Sequence, residues 1–111
     1  MPMQGNIDQR SQGVWSRLNT AVLELIYEGD HCIPCVYMLE TAEEALVGFG
    51  DSVKLELVYL RQQAGGLRYM ELSNKLGKPA PIPSIFINGE LYFEITPPVE
   101  DLQNVLREIL K

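Results

Sequence analysis

Cys32 and Cys35 are the only two cysteines in this chain, and Ile33 and Pro34 lie between them. A structural disulfide stabilises a fold chiefly by closing a long loop of the unfolded chain, and this pair closes almost none. Its spacing suits reaction instead, because two thiols this close can form and open a disulfide between themselves. A dense apolar run, residues 20–27, precedes the pair, and a helical pattern follows it. Cys32 therefore falls at a helix N-terminus, where unpaired backbone N–H groups and the macrodipole favour negative charge. Thiols in such settings ionise at roughly pH 3.5–7.5, and only the thiolate attacks a disulfide. Cys32 is accordingly expected as the exposed nucleophile. Cys35, one turn into the helix and more covered, is expected as the resolving thiol.

The same spacing is also half of many zinc sites. Zinc usually takes four protein ligands, or three with an open position. The only other soft ligand is His31, next to Cys32, with the Asp30 carboxylate beside it. No second C-x-x-C or H-x-x-x-H occurs. The leading reading is a redox dithiol, with no metal and no resident cofactor. A metal- or iron–sulfur-binding module and a redox-switched adaptor, both using these cysteines, stand as alternatives. His31 could titrate near neutral pH and, when protonated, stabilise the Cys32 thiolate. A solvent-facing loop histidine without a role is the other reading of that residue.

The elements that must position the pair can be read from periodicity. Residues 20–27 form a buried strand by length and by their Val, Ile and Tyr content. From Val36 to Gly50, apolar residues at 36, 39, 42, 46 and 49 recur near helical spacing, with Glu40, Glu43 and Glu44 opposite. Pro34 suits the first turn of that helix, where its missing N–H costs nothing. Residues 53–60 form a central strand, Gly65-Gly66 interrupt the chain, and residues 67–76 form a second helix stopped by Gly77. The stretch 80–83 is too rich in proline to be helical and leads into a short strand at 84–87. Asn88-Gly89 is a strong hairpin signal, with the returning strand at 90–95. Pro97-Pro98 open a last helix whose apolar stripe is Val99, Leu102, Val105, Leu106, Ile109 and Leu110. The order β-α-β-α-β-β-α implies an α/β fold with a four-stranded mixed sheet flanked by helices. Its first crossover is parallel and right-handed.

Length and composition bound what such a chain can do. At 111 residues there is room for one core, expected over residues 14–111, with residues 1–13 as a flexible tail. Residues 14–19 could add a short helical lead-in. Fifteen acids against nine bases leave a charge of −6, which argues against nucleic acid and against an anionic membrane surface as partners. No run approaches the roughly 20 apolar residues that cross a bilayer. The N-terminal stretch lacks the apolar core of a signal peptide, so a cytoplasmic monomer is expected.

Taken together, the C-x-P-C pair after a buried strand and the segment Ile82-Pro83-Ser84-Ile85-Phe86-Ile87-Asn88-Gly89-Glu90 resemble the thioredoxin-like superfamily. The resemblance covers about residues 20–110 and is closest in size to glutaredoxins and small thioredoxins. It implies a thiol–disulfide oxidoreductase whose partners are protein disulfides and a reductase dependent on flavin or ferredoxin. It also implies that Pro83 is a cis-proline facing the dithiol, exposing the Ile82 backbone to an extended substrate. Ile33, Pro34, Ile82 and Pro83 would then form the substrate-binding rim. Three positions depart from the family pattern. Ile26 stands where thioredoxins carry a buried acid; Glu24 and Glu28 flank it, and alternation places both on the same face of the strand as Ile26. His31 stands where they carry Trp. Residues 93–98 lack the Gly-Gly and Asp with which glutaredoxins hold glutathione.

Overall fold

A computed structural model describes residues 20–111. The expected tail at 1–13 and lead-in at 14–19 lie outside the described residues. Among the described residues, four strands and three helices follow in the anticipated order: β1 (Ala21–Tyr27), α1 (Ile33–Leu46), β2 (Val53–Tyr59), α2 (Gln63–Leu76), β3 (Ser84–Ile87), β4 (Glu90–Phe93) and α3 (Val99–Leu110). A single 3-10 turn at Gly50–Ser52 joins α1 to β2. The sheet order is β2-β1-β3-β4. β1 pairs parallel with β2, from Ala21 opposite Val53 to Tyr27 opposite Tyr59. On its other edge β1 pairs antiparallel with β3, and Ile26 lies opposite Ser84. Among the described residues, no helix is long and apolar enough to cross a membrane.

β1 is central and apolar on both faces because helices cover both. Alternation splits its side chains between two cores. Leu23, Leu25 and Tyr27 join Ile85 and Ile87 of β3, Met38, Ala42 and Ala45 of α1, and Leu102 and Leu106 of α3. Ile26 joins Val58, Phe86 and Leu72 on the α2 face. Ala80 closes that second core from the proline-rich loop. In α3 the expected stripe holds: Leu102 and Leu106 are fully buried, and Val99, Val105, Ile109 and Leu110 pack beside them.

Three expectations are corrected. α1 runs from Ile33 to Leu46: it starts as expected, with Cys32 as its cap and Pro34 in its first turn, but it ends at Leu46, short of Gly50. Its buried stripe is Cys35, Met38, Ala42 and Ala45. Val36 is only half-buried, while Leu39, Leu46 and Phe49 flank the core. α2 begins at Gln63, so Gly65-Gly66 lie inside the helix instead of interrupting it. Gly65 belongs there because the first turn rests on the end of β2: a Cβ would lie 1.9 Å from the Tyr59 carbonyl oxygen. β4 ends at Phe93, and Glu94 and Ile95 are exposed beyond it.

The hairpin turn follows its residues closely. Asn88 and Gly89 both have positive φ, at 52° and 84°, as a two-residue turn of the primed kind requires. The Asn88 side-chain oxygen accepts from the Val22 N–H at 2.9 Å, and the Asn88 N–H donates to the Val22 carbonyl at 2.9 Å. Those bonds fasten the turn to the start of β1.

Candidate active site

Cys32 and Cys35 are joined as a disulfide, with their Cα atoms 5.2 Å apart. Cys32 is the N-cap of α1, in extended conformation, and its sulfur accepts from the Cys35 N–H at 3.3 Å. That donor is one of the N–H groups a helix start leaves without an intrahelical partner. The two sulfur-bearing residues are unequally covered: Cys35 is fully buried in the α1/α3 core and Cys32 is half-buried at its margin. Cys32 thus sits at the positive end of the helix, half-exposed to solvent.

The loop that carries Cys32 is tied back to the sheet. The Cys32 N–H donates to the Gly29 carbonyl at 3.0 Å, closing a tight turn. The Tyr27 hydroxyl, at the buried end of β1, hydrogen-bonds the Asp30 carboxylate. That hydrogen bond, which the phenol can donate only while protonated, pushes the Tyr27 phenol up to about 12, with desolvation and the negative charge of Asp30 adding to the shift. Tyr27 also packs edge-to-face on Tyr59, with ring centroids 5.8 Å apart. His31 lies across Gly29, whose own Cβ would be 2.9 Å from the imidazole. The His31 Nε2 is 3.7 Å from Glu28, and both side chains are about half exposed.

The proline-rich loop is held as firmly, by residues the sequence reading missed. The Tyr69 hydroxyl donates to the Ala80 carbonyl at 2.8 Å, and the Ala80 N–H donates to the Ser73 hydroxyl at 2.9 Å. Both side chains project from α2 four residues apart, a spacing that places them on one helix face. The fully buried Ser84 donates to the Pro81 carbonyl at 2.7 Å. The Ile82–Pro83 peptide that follows is cis. Ile82 is exposed and Pro83 buried. Since Ser84 is opposite Ile26 in the ladder, this peptide lies at the same end of the sheet from which β1 leads into Cys32.

Ile33 and Pro34 are exposed beside the disulfide. Glu24, one of the acids flanking Ile26, is buried on the α2 face. Both of its carboxylate oxygens accept from Arg68, at 2.7 and 2.8 Å. Cys35 belongs to the opposite face of the sheet. Among the described residues, no three His, Cys, Asp or Glu side chains converge as a metal site would need.

The backbone arrangement matches solved thioredoxin structures. The chain has the thioredoxin-like fold. It superposes on thioredoxin-2, described as a component of malaria parasite protein secretion machinery, with a TM-score of 0.60 and 16% identity over 81% of this chain and 84% of that one. A second malarial protein gives 0.60 and 16% over 84% of this chain and 100% of that one. Chloroplastic thioredoxin z gives 0.59 and 16% over 92% and 88%. No family model matches the sequence, and no curated protein does either. At 16% identity these neighbours establish the fold alone. Within this fold, Tyr27–Asp30 and the Tyr69/Ser73 clamp hold the loops at the site, and Glu24–Arg68 lies on the face of the sheet opposite Cys35. Glu24 and Asp30 were singled out from the sequence, but Arg68, Tyr69 and Ser73 were not, and the four-residue spacing of Tyr69 and Ser73 names no target until the loop folds back.

Proposed function

We propose that this protein is a thiol–disulfide oxidoreductase acting on protein disulfides in the cytoplasm, with Cys32 as nucleophile and Cys35 as resolving thiol. The observation that carries this reading is the Cys32–Cys35 disulfide capping α1, with one partner reachable and the other buried. In the reduced protein the Cys32 thiolate attacks one sulfur of the substrate disulfide. A Cys32–substrate S–S bond forms, the substrate's own S–S bond breaks, and its first thiolate leaves to take a proton from water. Cys35 then loses its proton and attacks the Cys32 sulfur. The Cys32–Cys35 bond forms, the mixed disulfide breaks, and the second substrate thiolate departs. Two electrons have passed from the dithiol to the substrate, and a partner reductase returns them.

Ile33, Pro34 and Ile82 supply an exposed apolar rim for the substrate. Beside Pro83, the Ile82 backbone is available to pair with an extended segment. The Glu28–His31 contact is between half-exposed groups and is worth little by itself, and the imidazole of His31, the residue before Cys32, lies over Gly29. The test is reduction of insulin disulfides by the purified protein with a chemical reductant. Cys32→Ser abolishes turnover, and Cys35→Ser accumulates a mixed disulfide with substrate. Full activity in both variants would refute the assignment.

A further inference from the structure

The charge of the described chain is unevenly placed. From Lys54 to Lys111, seven acids and seven bases cancel. From Thr20 to Val53, there are seven acids and no Lys or Arg. The half that carries the disulfide therefore holds the whole net charge of the described residues. Within it, Ile33, Tyr37, Glu40 and Glu44 follow one another at four, three and four residues, which aligns them along one face of α1. That face is opposite the buried stripe of Cys35, Met38, Ala42 and Ala45. Ile33 is 58% exposed and Tyr37 61%, and both glutamates are exposed. At 1.5 Å per residue the carboxylate-bearing residues stand roughly 10 and 16 Å beyond Ile33 along the helix. On the other side of the disulfide are Glu28 and Asp30, with Arg61 approaching Gly29 from the β2–α2 loop.

We propose that this ridge, apolar next to the disulfide and acidic beyond it, docks disulfide segments of partner proteins that carry apolar residues beside the cysteine and Lys or Arg further along. The proposal rests on the oxidoreductase reading and narrows its substrate class. Two exposed large apolar side chains at the mouth of the site would be covered by the partner. Glu40 and Glu44, four residues apart, repel one another mildly until a cation lies between them. Charges on this ridge are within about a Debye length of an incoming segment at low salt, so they act mainly on the rate of encounter. An acidic partner would be turned away by the same charges.

The test uses the full chain, reduced and freed of reductant, and two peptide disulfides of equal length. Both peptides carry apolar residues beside their cysteines; about three to five residues further along, one carries Lys and the other Glu. Second-order exchange rate constants are measured at 20 mM and 500 mM NaCl. The Lys peptide should react about tenfold faster at low salt, with the difference mostly gone at high salt. Glu40→Lys combined with Glu44→Lys should reverse the preference, and the paired Gln variant should abolish it. Equal rates for both peptides, or a preference unmoved by the Lys pair, overturns the docking proposal while leaving the exchange chemistry intact. If neither peptide reacts, the oxidoreductase reading falls and this proposal with it.

Discussion

Arg68→Met should cost this protein about 2 kcal/mol of stability and leave disulfide exchange untouched. The Glu24 side chain is only 10% exposed, and Arg68 occupies both of its oxygens, at 2.7 and 2.8 Å. Removing one partner of a fully buried ion pair costs roughly 3–5 kcal/mol, because the other charge is stranded. The Arg68 side chain is 41% exposed, so water can enter as the guanidinium leaves and the cost falls below that range. A loss of this size lowers the melting temperature by on the order of 10 °C in a domain of this length. Urea unfolding of wild type, Arg68→Met, Glu24→Met and the double variant completes a mutant cycle. The double variant should recover most of the loss, since two apolar side chains strand no charge. Exchange by Glu24→Gln should keep the wild-type pH profile, because Glu24 is neutralised on the face of the sheet opposite Cys35. A stable Arg68→Met variant would refute the energetic argument. A displaced pH profile in Glu24→Gln would make Glu24 part of the chemistry.

Other consequences are simpler to state. Tyr69→Phe and Ser73→Ala each remove one hydrogen bond to Ala80 and should each cost about 1 kcal/mol by urea unfolding. Gly65→Ala forces a Cβ onto the Tyr59 carbonyl and should destabilise by about 3 kcal/mol or more, with the loss visible as a lower urea midpoint. Tyr27 has its folded pKa raised from 10.0 to about 12, so its hydrogen bond stabilises fully below pH 10 and that contribution disappears as pH rises through about 12. Absorbance titration at 295 nm should show one late-ionising tyrosine that Tyr27→Phe removes and Asp30→Asn shifts down. A tyrosine titration unchanged by Asp30→Asn would count against the Tyr27–Asp30 bond.

Much of the fold was legible because it is carried by local patterns. The seven elements and their order follow from periodicity, the hairpin from Asn88-Gly89, and the α3 stripe from spacing of three and four. Boundaries were less legible where a distant contact overrode the local signal. Gly65-Gly66 look like an interruption until β2 is seen beneath the helix, and then Gly65 is what allows the helix to start there. The α1 stripe was misplaced because both Met38 and Val36 are apolar, and only the position of the sheet decides which of them faces inward.

By itself, then, the sequence determined that two cysteines stand three positions apart at a strand-to-helix junction, with a proline-rich loop and a tight hairpin later in the chain. Such features depend on neighbours within a few residues. The tertiary structure alone decided how completely Cys35 is buried and that Glu24 is spent on Arg68. It also decided that Tyr69 and Ser73 hold the loop before Pro83. Each of these depends on a contact between segments that the sheet order brings together, and no spacing along the chain encodes which face of a strand a later helix will cover.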